Sequence, residues 1–174
     1  LKQYLKEEGV DIYTGMNINS VRNSGSGKII NFSVKGKTKE TEVDYILFAT
    51  GRRPNTDGMN LEKAVVKLDD KGFIKVNDEM QTSAKHIWAA GDVIGEPMLE
   101  TIAAKEGAAA AENAFAKQKK KINFNEVPRA VFTYPEVASV GLTDAQAIEN
   151  GIRCRCGVIP FSFVPKSHII GDTR

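Results

Sequence analysis

Two short apolar segments constrain the fold more than any other feature of this 174-residue sequence. Residues 45–49 (YILFA) and 86–90 (HIWAA) carry apolar side chains at neighbouring positions rather than at alternate ones. A strand with that pattern buries both faces, which is typical of a parallel sheet covered by helices. Each segment runs into turn-forming residues, Thr50-Gly51 in the first and Gly91-Asp92 in the second. The pattern predicts an α/β sheet, whose ligands collect beyond the carboxyl ends of its strands.

The residues before the first of these segments predict a helix followed by a small antiparallel meander. Residues 1–8 (LKQYLKEE) have helical apolar spacing, and Gly9 stands where a helix C-cap belongs. A turn is expected at residues 23–27 (NSGSG). Strands are predicted at residues 10–13, around Ile18 and Val21, at 28–35 and at 41–48.

The second half of the chain predicts a helix, a linker and a mixed helix–strand region. Pro97 favours a helix start, and the Ala-rich helix is expected over about 98–117. The Lys-rich residues 117–121 predict a solvated linker. The pattern Thr143-x-x-Gln146 is a capping box and predicts a helix that ends at Asn150-Gly151. Strands are predicted at 131–133 and over most of 152–163, and a turn with a short strand at 135–140.

Composition excludes several classes of function. The formal net charge is +2, so no electrostatic footprint for a nucleic-acid partner is visible. No apolar run approaches the roughly 18–20 residues that span a bilayer, so no membrane partner is expected. Two cysteines are too few for a disulfide framework, which favours the cytoplasm. Because the chain opens at Leu1 on what resembles a helix end, we expect it to be a piece of a longer protein.

Three features of the sequence suit ligand binding. The Asp92 carboxylate follows the second apolar segment and can accept hydrogen bonds from sugar or polyol hydroxyls. A helix start at Pro97 leaves the N–H groups of residues 98–100 without helical partners, and such an end attracts anions. The small residues 49–51 allow a cofactor to pass closely. Taken one at a time, these features also fit an ordinary turn, a solvated helix start and a close backbone approach.

Three longer motifs, taken in order, resemble one family. They are residues 46–55 (ILFATGRRPN), 82–92 (TSAKHIWAAGD) and 128–141 (PRAVFTYPEVASVG). They resemble the pyridine nucleotide-disulfide oxidoreductases, the flavoprotein disulfide reductases with two dinucleotide-binding domains. The resemblance covers essentially the whole chain. It implies an FAD-containing, NADPH- or NADH-dependent homodimer that dimerises through its C-terminal domain.

The resemblance also implies a domain order and a set of cofactor-binding residues. Residues 1–48 would be the tail of an NAD(P)-binding α/β domain, 49–122 the second segment of the FAD-binding domain, and 123–174 the first part of an α+β dimerisation domain. Asp92 matches the aspartate that binds the FAD ribityl chain, and the helix start faces the flavin pyrimidine edge. Gly51 matches a position near the nicotinamide cofactor, and Ile18 one in the adenine pocket. The implied cofactor-binding residues are Ile18, Ala49, Thr50, Gly51, Gly91, Asp92, Met98, Leu99 and Glu100.

Several parts of the family's catalytic machinery do not occur in these 174 residues. The sequence has no glycine-rich GxGxxG fingerprint, no cysteine pair with four intervening residues and no C-terminal His-Glu pair. We therefore expect no catalytic residue in this chain and no activity from the 174 residues alone. Cys154-x-Cys156 has the wrong spacing for the redox pair, so ordinary structural thiols are expected, with soft-metal binding as the alternative. His86 and His168 are assigned surface or packing roles, and no metal site is predicted.

Two short stretches near the end bear on the substrate. Val164-Pro165-Lys166 and Asp172-Thr173-Arg174 resemble the corresponding stretches of mercuric reductases, which implies mercury(II) as the substrate and NADPH as the donor. The next alternative within the family is dihydrolipoamide dehydrogenase, with a small-molecule disulfide as substrate, and another family member with a different acceptor is the third. An alternative of another class is a non-catalytic fragment that acts only in assembly.

Overall fold

An antiparallel meander forms the body of the first of two structural units, Leu1–Gly51, in the computed structural model of the chain. The structure describes residues 1–95 and 97–174. Helix α1 (Lys2–Glu7) is followed by strands β1 (Met16–Ser24), β2 (Gly27–Val34) and β3 (Lys37–Val43). The sheet order is β1-β2-β3, with both neighbouring pairs antiparallel. The predicted meander is confirmed, with strand bounds that differ by a few residues.

Helix α1 ends at a Schellman motif, as Gly9 predicted. The Gly9 N–H donates to the Lys6 carbonyl at 3.0 Å, and the Val10 N–H donates to the Leu5 carbonyl at 2.9 Å. These two bonds satisfy carbonyls that the helix end leaves without a partner. Gly9 has φ +87°, a conformation that side chains other than glycine rarely adopt.

The strand predicted at residues 10–13 is wrong, because these residues form no ladder. Tyr13 instead packs on Phe32 of β2, with ring centroids 5.0 Å apart and planes tilted by 57°. Phe32 is buried, and the Tyr13 ring covers one side of the Phe32 ring. Tyr13 also lies under the Lys39 ammonium, 4.9 Å from the ring centroid.

The buried strand predicted at residues 45–49 is also absent from the structure. Tyr45 and Leu47 are each 91% exposed, and no regular structure is assigned from residue 45 to residue 51. A strand that is apolar on both faces needs a pairing partner and a covering layer on each side. None of the residues that the structure describes pairs with this segment as a strand.

The second unit, Arg52–Arg174, has its core in residues 61–94. Val66, Ile74 and Ala84 form the buried centre of this core. Isolated bridges join its extended segments: Leu68 to Ile74, Val76 to Thr82 and Gln81 to Trp88. The prediction for residues 86–90 is therefore wrong as a fully buried strand. The segment is largely half-buried, makes one bridge, and runs into a 3₁₀ turn at Asp92–Ile94.

Helix α2 (Glu100–Phe115) confirms the predicted helix, with each end about two residues further in. Its buried residues are Ile102, Glu106, Ala109 and Asn113, which recur at helical spacing on one face. The Lys-rich residues 117–121 are largely exposed, as predicted, but Asn113 bonds to the backbone of this linker. The Asn113 Oδ1 accepts the Lys120 N–H at 2.8 Å, and its Nδ2 donates to the Lys120 and Glu79 carbonyls, each at 2.8 Å.

The C-terminal region contains short elements. Strands β4 (Arg129–Val131) and β5 (Val137–Ser139) form an antiparallel pair, helix α3 spans Asp144–Glu149, and helix α4 spans Pro165–Ile170. The Thr143–Gln146 capping box is confirmed, with both reciprocal bonds present. The strand predicted over 152–163 is wrong: residues 152–160 form no ladder, and Phe161–Phe163 is a 3₁₀ turn. No described strand pairs with this segment, so its apolar alternation alone does not make a sheet.

Candidate functional site

The turn at Gly91 and Asp92 lies against helix α2. Gly91 has φ +80° and ψ −164°, a conformation that favours glycine. A Cβ atom built on Gly91 would lie 3.6 Å from the Cβ of Ala103. The backbone therefore passes close to the first turn of α2 before it enters the 3₁₀ turn. This placement leads directly to Asp92, the residue that the sequence singled out.

The Asp92 side chain is 46% exposed and is paired with one cation. The Arg52 Nη1 donates to Oδ2 of Asp92, and Arg52 itself is largely exposed. Oδ1 accepts no side-chain hydrogen bond from any residue that the structure describes. A carboxylate has room for several hydrogen bonds, so Asp92 can accept hydroxyl groups while it stays paired. Sequence reasoning quoted Arg52 within a motif and missed this role.

Beneath the turn lies Glu106, a residue that sequence reasoning did not single out. Its side chain is 1% exposed, and its Oε2 accepts the Gly91 N–H at 2.6 Å. Burial raises the pKa of the Glu106 carboxyl; the Gly91 hydrogen bond opposes this rise, and the charge of Asp92 adds to it. The signal was available in the sequence, because Glu106 lies four residues after Ile102 and three before Ala109, on the buried helix face.

The N-terminus of α2 is the second component of the site. Leu99 is its N-cap residue and forms no side-chain cap. The Leu99 N–H, expected to be without a helical partner, donates to the Pro97 carbonyl at 3.0 Å. Within α2 itself, the N–H groups of the first turn, from Glu100 onward, have no intrahelical acceptor. Met98 and Leu99 are half-buried, and Glu100 is exposed.

These features together fit a ligand that carries hydroxyl groups and an anionic ring or phosphate. Asp92 offers an accessible acceptor, the start of α2 offers N–H donors and the positive end of a helix dipole, and Gly91 presents no side chain. That chemistry matches the polyol chain of a flavin and the pyrimidine edge of its ring, where negative charge collects when the ring is reduced. The donor set therefore fits the FAD that the sequence resemblance implied.

The other predicted binding residues lie in the first unit. Ile18 is exposed on β1, and Ala49, Thr50 and Gly51 are exposed in the segment after β3. Gly51 has φ +99°, and no atom lies within 4 Å of a Cβ built there. A backbone with this conformation and this much space suits the close approach of a ligand. The assignment of these four residues to cofactor binding stays a prediction.

Asp172 and Arg174, two of the residues that suggested the substrate, are bonded to each other. Asp172 accepts the Arg174 Nη2 at 2.8 Å and the Arg174 backbone N–H at 3.0 Å, and the Arg174 guanidinium lies 4.6 Å from the Tyr134 ring centroid. Arg174 holds the pKa of Asp172 well below its usual range. Within this chain, Asp172 and Arg174 therefore connect the end of α4 to the loop before β5.

The two cysteines are free and exposed. A hydrogen bond to Asp144 is the main cause that raises the pKa of Cys156 to about 11.

Among residues 1–95 and 97–174, no three His, Cys, Asp or Glu side chains are grouped so that they can hold a metal ion. In the same residues, no helix has the length and apolar character needed to cross a bilayer.

Two family models match this chain. The model described as pyridine nucleotide-disulphide oxidoreductase matches residues 1–107, and the dimerisation-domain model of the same family matches residues 127–174. The chain belongs to the pyridine nucleotide-disulphide oxidoreductase family. The family predicted from the three motifs is therefore confirmed.

Relatives with two different names are similar to this oxidoreductase chain. A mercuric reductase from Staphylococcus aureus is 39% identical over 173 residues, which are 99% of this chain and 32% of that protein. A dihydrolipoyl dehydrogenase from Thermus scotoductus is 41% identical over 176 residues, 100% of this chain and 38% of that protein. The chain thus spans about a third of the length of these relatives.

Solved structures give the same fold class. The HOCl-induced flavoprotein disulfide reductase RclA from Escherichia coli aligns with a TM-score of 0.83 at 26% identity, over 99% of this chain and 39% of that one. LpdA from Mycobacterium tuberculosis aligns with a TM-score of 0.86 at 27% identity, over 98% of this chain and 37% of that one. The predicted class, α/β flavoprotein structure followed by the start of a dimerisation domain, is confirmed.

Proposed function

We propose that this oxidoreductase chain is part of an FAD-dependent, NAD(P)H-using disulfide reductase and that Asp92 helps to hold the FAD. The observation that carries the proposal is the half-exposed Asp92 carboxylate, which lies on a glycine turn against α2. Membership of the family supports it. When bound, FAD supplies a two-electron relay between a nicotinamide cofactor and a dithiol.

Within this proposal, each group of residues has a binding or orienting role. Asp92 accepts hydrogen bonds from the ribityl hydroxyls, and Gly91 keeps the turn free of a side chain. The start of α2, with Met98, Leu99 and Glu100, directs its positive end toward the pyrimidine edge of the flavin. Residues 49–51 contact the nicotinamide cofactor, and Ile18 lines the adenine pocket. No residue of this chain serves as the redox dithiol or as the acid–base group.

For the substrate we propose mercury(II), with NADPH as the donor. The support is the Val164-Pro165-Lys166 and Asp172-Thr173-Arg174 stretches together with the similarity to the Staphylococcus aureus mercuric reductase. The reaction balances as NADPH plus mercury(II) giving NADP⁺, a proton and elemental mercury, because the hydride carries both electrons. The dithiol comes from outside these 174 residues, since Cys154 and Cys156 have the wrong spacing.

Dihydrolipoamide dehydrogenase is the second candidate, favoured by the similarity to the Thermus scotoductus relative. The two activities separate on chemical grounds. A lipoyl disulfide needs a positioned acid to protonate its leaving thiolate, whereas mercury(II) needs soft thiolate ligands. We further propose that the protein is a cytoplasmic homodimer that pairs through the region matched by the dimerisation-domain model.

The FAD assignment is tested with two aspartate variants of the full-length protein. Asp92→Ala removes an acceptor and should weaken FAD binding by about 1–3 kcal/mol, because hydroxyls of the bound cofactor lose their partner. Asp70→Ala, an exposed aspartate of the same unit, is the control and should leave FAD binding unchanged. Equal FAD affinity in the two variants contradicts the assignment.

The substrate assignment is tested by parallel assays of the full-length protein. NADPH oxidation is followed with mercury(II) in excess thiol, and NADH oxidation with oxidised lipoamide. Mercury-dependent turnover well above lipoamide-dependent turnover is expected. The reverse order assigns the protein to the dihydrolipoamide dehydrogenases. Absence of turnover with both, in full-length protein that retains FAD, contradicts both assignments and leaves another acceptor within the family. Purified protein whose mass is only that of these 174 residues favours the non-catalytic assembly role.

A further inference from the structure

Glu106 occupies a position where an apolar residue is expected. It lies on the buried face of α2 with Ile102 and Ala109, and it is 1% exposed. Burying a carboxyl group costs free energy unless its hydrogen bonds are made, so the position calls for a specific partner. The partner is the Gly91 backbone N–H, which donates to Oε2 at 2.6 Å.

The bond fixes one particular peptide group. Gly91 is the last residue before the Asp92–Ile94 3₁₀ turn, and its φ of +80° lies in a region that little besides glycine adopts. Glu106 and Ala103 lie one turn apart on α2 and both reach Gly91: Glu106 through the hydrogen bond, and Ala103 through the space that its small side chain leaves. Helix α2 therefore sets both the depth and the orientation of the residue that precedes Asp92.

We propose that Glu106 is a positioning residue that acts through Gly91 to present the Asp92 carboxylate to the ligand. The inference rests on the proposed FAD site and adds to it a residue that does not touch the cofactor. Arg52 pairs with Asp92 on its exposed side, whereas Glu106 holds the backbone from the buried side. Asp92 is thereby constrained at its side chain by Arg52 and at the preceding backbone by Glu106.

The test uses three variants of Glu106 in the full-length apo protein, with the FAD Kd measured by flavin fluorescence titration. Glu106→Met fills the volume but cannot accept the Gly91 N–H, and it should raise the Kd about tenfold, as one lost hydrogen bond to a charged group does. Glu106→Gln retains an acceptor oxygen and should restore a Kd close to that of the unmodified protein. Glu106→Ala should behave like Glu106→Met, and Glu112→Gln, an exposed position of the same helix, should change nothing.

A double-mutant cycle separates positioning from general stability. If Glu106 acts through Asp92, then Glu106→Met should add little to the effect of Asp92→Ala, although each change alone weakens binding. Far-UV circular dichroism confirms that each variant is folded at the temperature of the titration. Multiplicative effects on the Kd, or a Glu106→Met variant with unchanged Kd, overturn the inference.

The outcomes also distinguish this inference from the proposed function. An unmodified protein that binds no FAD overturns both. If Asp92→Ala weakens FAD binding while Glu106→Met does not, the FAD site stands and the positioning role falls. If Glu106→Met weakens binding and Asp92→Ala does not, Glu106 does not act through Asp92, and both assignments fall.

Discussion

Replacing Asn113 by alanine should destabilise the region where α2 meets the segment leading to residue 122. Asn113 is 0% exposed, and its amide makes three hydrogen bonds of 2.8 Å to backbone groups of Glu79 and Lys120. At about 1 kcal/mol net for each bond, their loss costs about 3 kcal/mol. The better helix propensity of alanine returns roughly 0.5 kcal/mol, which leaves about 2.5 kcal/mol.

Glu112→Ala is the matched control for this prediction. Glu112 is the neighbouring residue and pairs with the Lys120 ammonium at 2.5 Å, but both side chains are at least half exposed. An exposed ion pair of this kind contributes about 0.2–1 kcal/mol. The two variants thus remove contacts to the same residue, one buried and one exposed.

The measurements are urea unfolding and hydrogen exchange of the Lys120 amide, whose N–H is bonded to Asn113 Oδ1. Asn113→Ala should lower the unfolding free energy far more than Glu112→Ala and should accelerate exchange at Lys120. Equal losses in the two variants, with unchanged exchange at Lys120, would refute the reasoning that the buried amide fastens this segment.

Two further predictions concern titrating groups in the C-terminal region. Arg174 lowers the pKa of Asp172, so the pair stabilises the folded state at pH values above about 4, the pKa of an aspartate in the unfolded chain. This contribution is lost as the pH falls below that value. Asp172→Asn should therefore flatten the decline of the melting temperature between about pH 5 and pH 3. A hydrogen bond to Asp144 is the main cause that raises the pKa of Cys156 to about 11, so Asp144→Asn should speed the alkylation of Cys156 at pH 8. The expected increase is roughly tenfold for each unit that the pKa of the Cys156 thiol drops. Mass spectrometry follows the labelling, with Cys154 as the internal reference, and unchanged labelling of Cys156 would contradict the assignment.

Local signals in the sequence predicted the elements that local interactions stabilise. The Schellman end at Gly9 and the capping box of Thr143 and Gln146 need only residues within a few positions of one another. Two of the strand predictions that failed, at 45–49 and 152–163, depend on partners far away in the sequence. An apolar strand is specified by what covers and pairs with it, and no described residue does so for these segments.

The candidate site divides in the same way. Asp92 and the helix start are visible in the sequence because a strand end, a glycine and a proline mark them. Arg52 and Glu106 carry no such mark, since Arg52 is 40 residues from Asp92 and Glu106 is 15 residues from Gly91. The helical spacing of Glu106 with its buried neighbours indicates that its side chain is buried, but it does not indicate that the Gly91 N–H is its hydrogen-bond partner.

The buried polar residues of α2 follow from the irregular backbone that packs beside it. Residues 61–95 are joined by isolated bridges rather than by ladders, so many of their N–H and C=O groups lack the partners that a regular sheet supplies. Side chains supply some of these partners. Oδ1 of Asp69 accepts the N–H groups of Lys71 and Phe73. Oδ1 of Asn77 accepts the N–H groups of Glu79 and Gln81.

Side chains of helix α2 also bond to backbone groups of the irregular segments that pack beside the helix. Glu106 accepts the N–H of Gly91, and Asn113 donates to the carbonyl of Glu79, about 10 Å further along the helix at 1.5 Å per residue. An apolar residue at either position would pack as well but would leave a backbone group without a partner. The polar residues on this buried face are therefore explained by the turn that carries Asp92 and by the segment that leads to residue 122, both of which depend on the same helix.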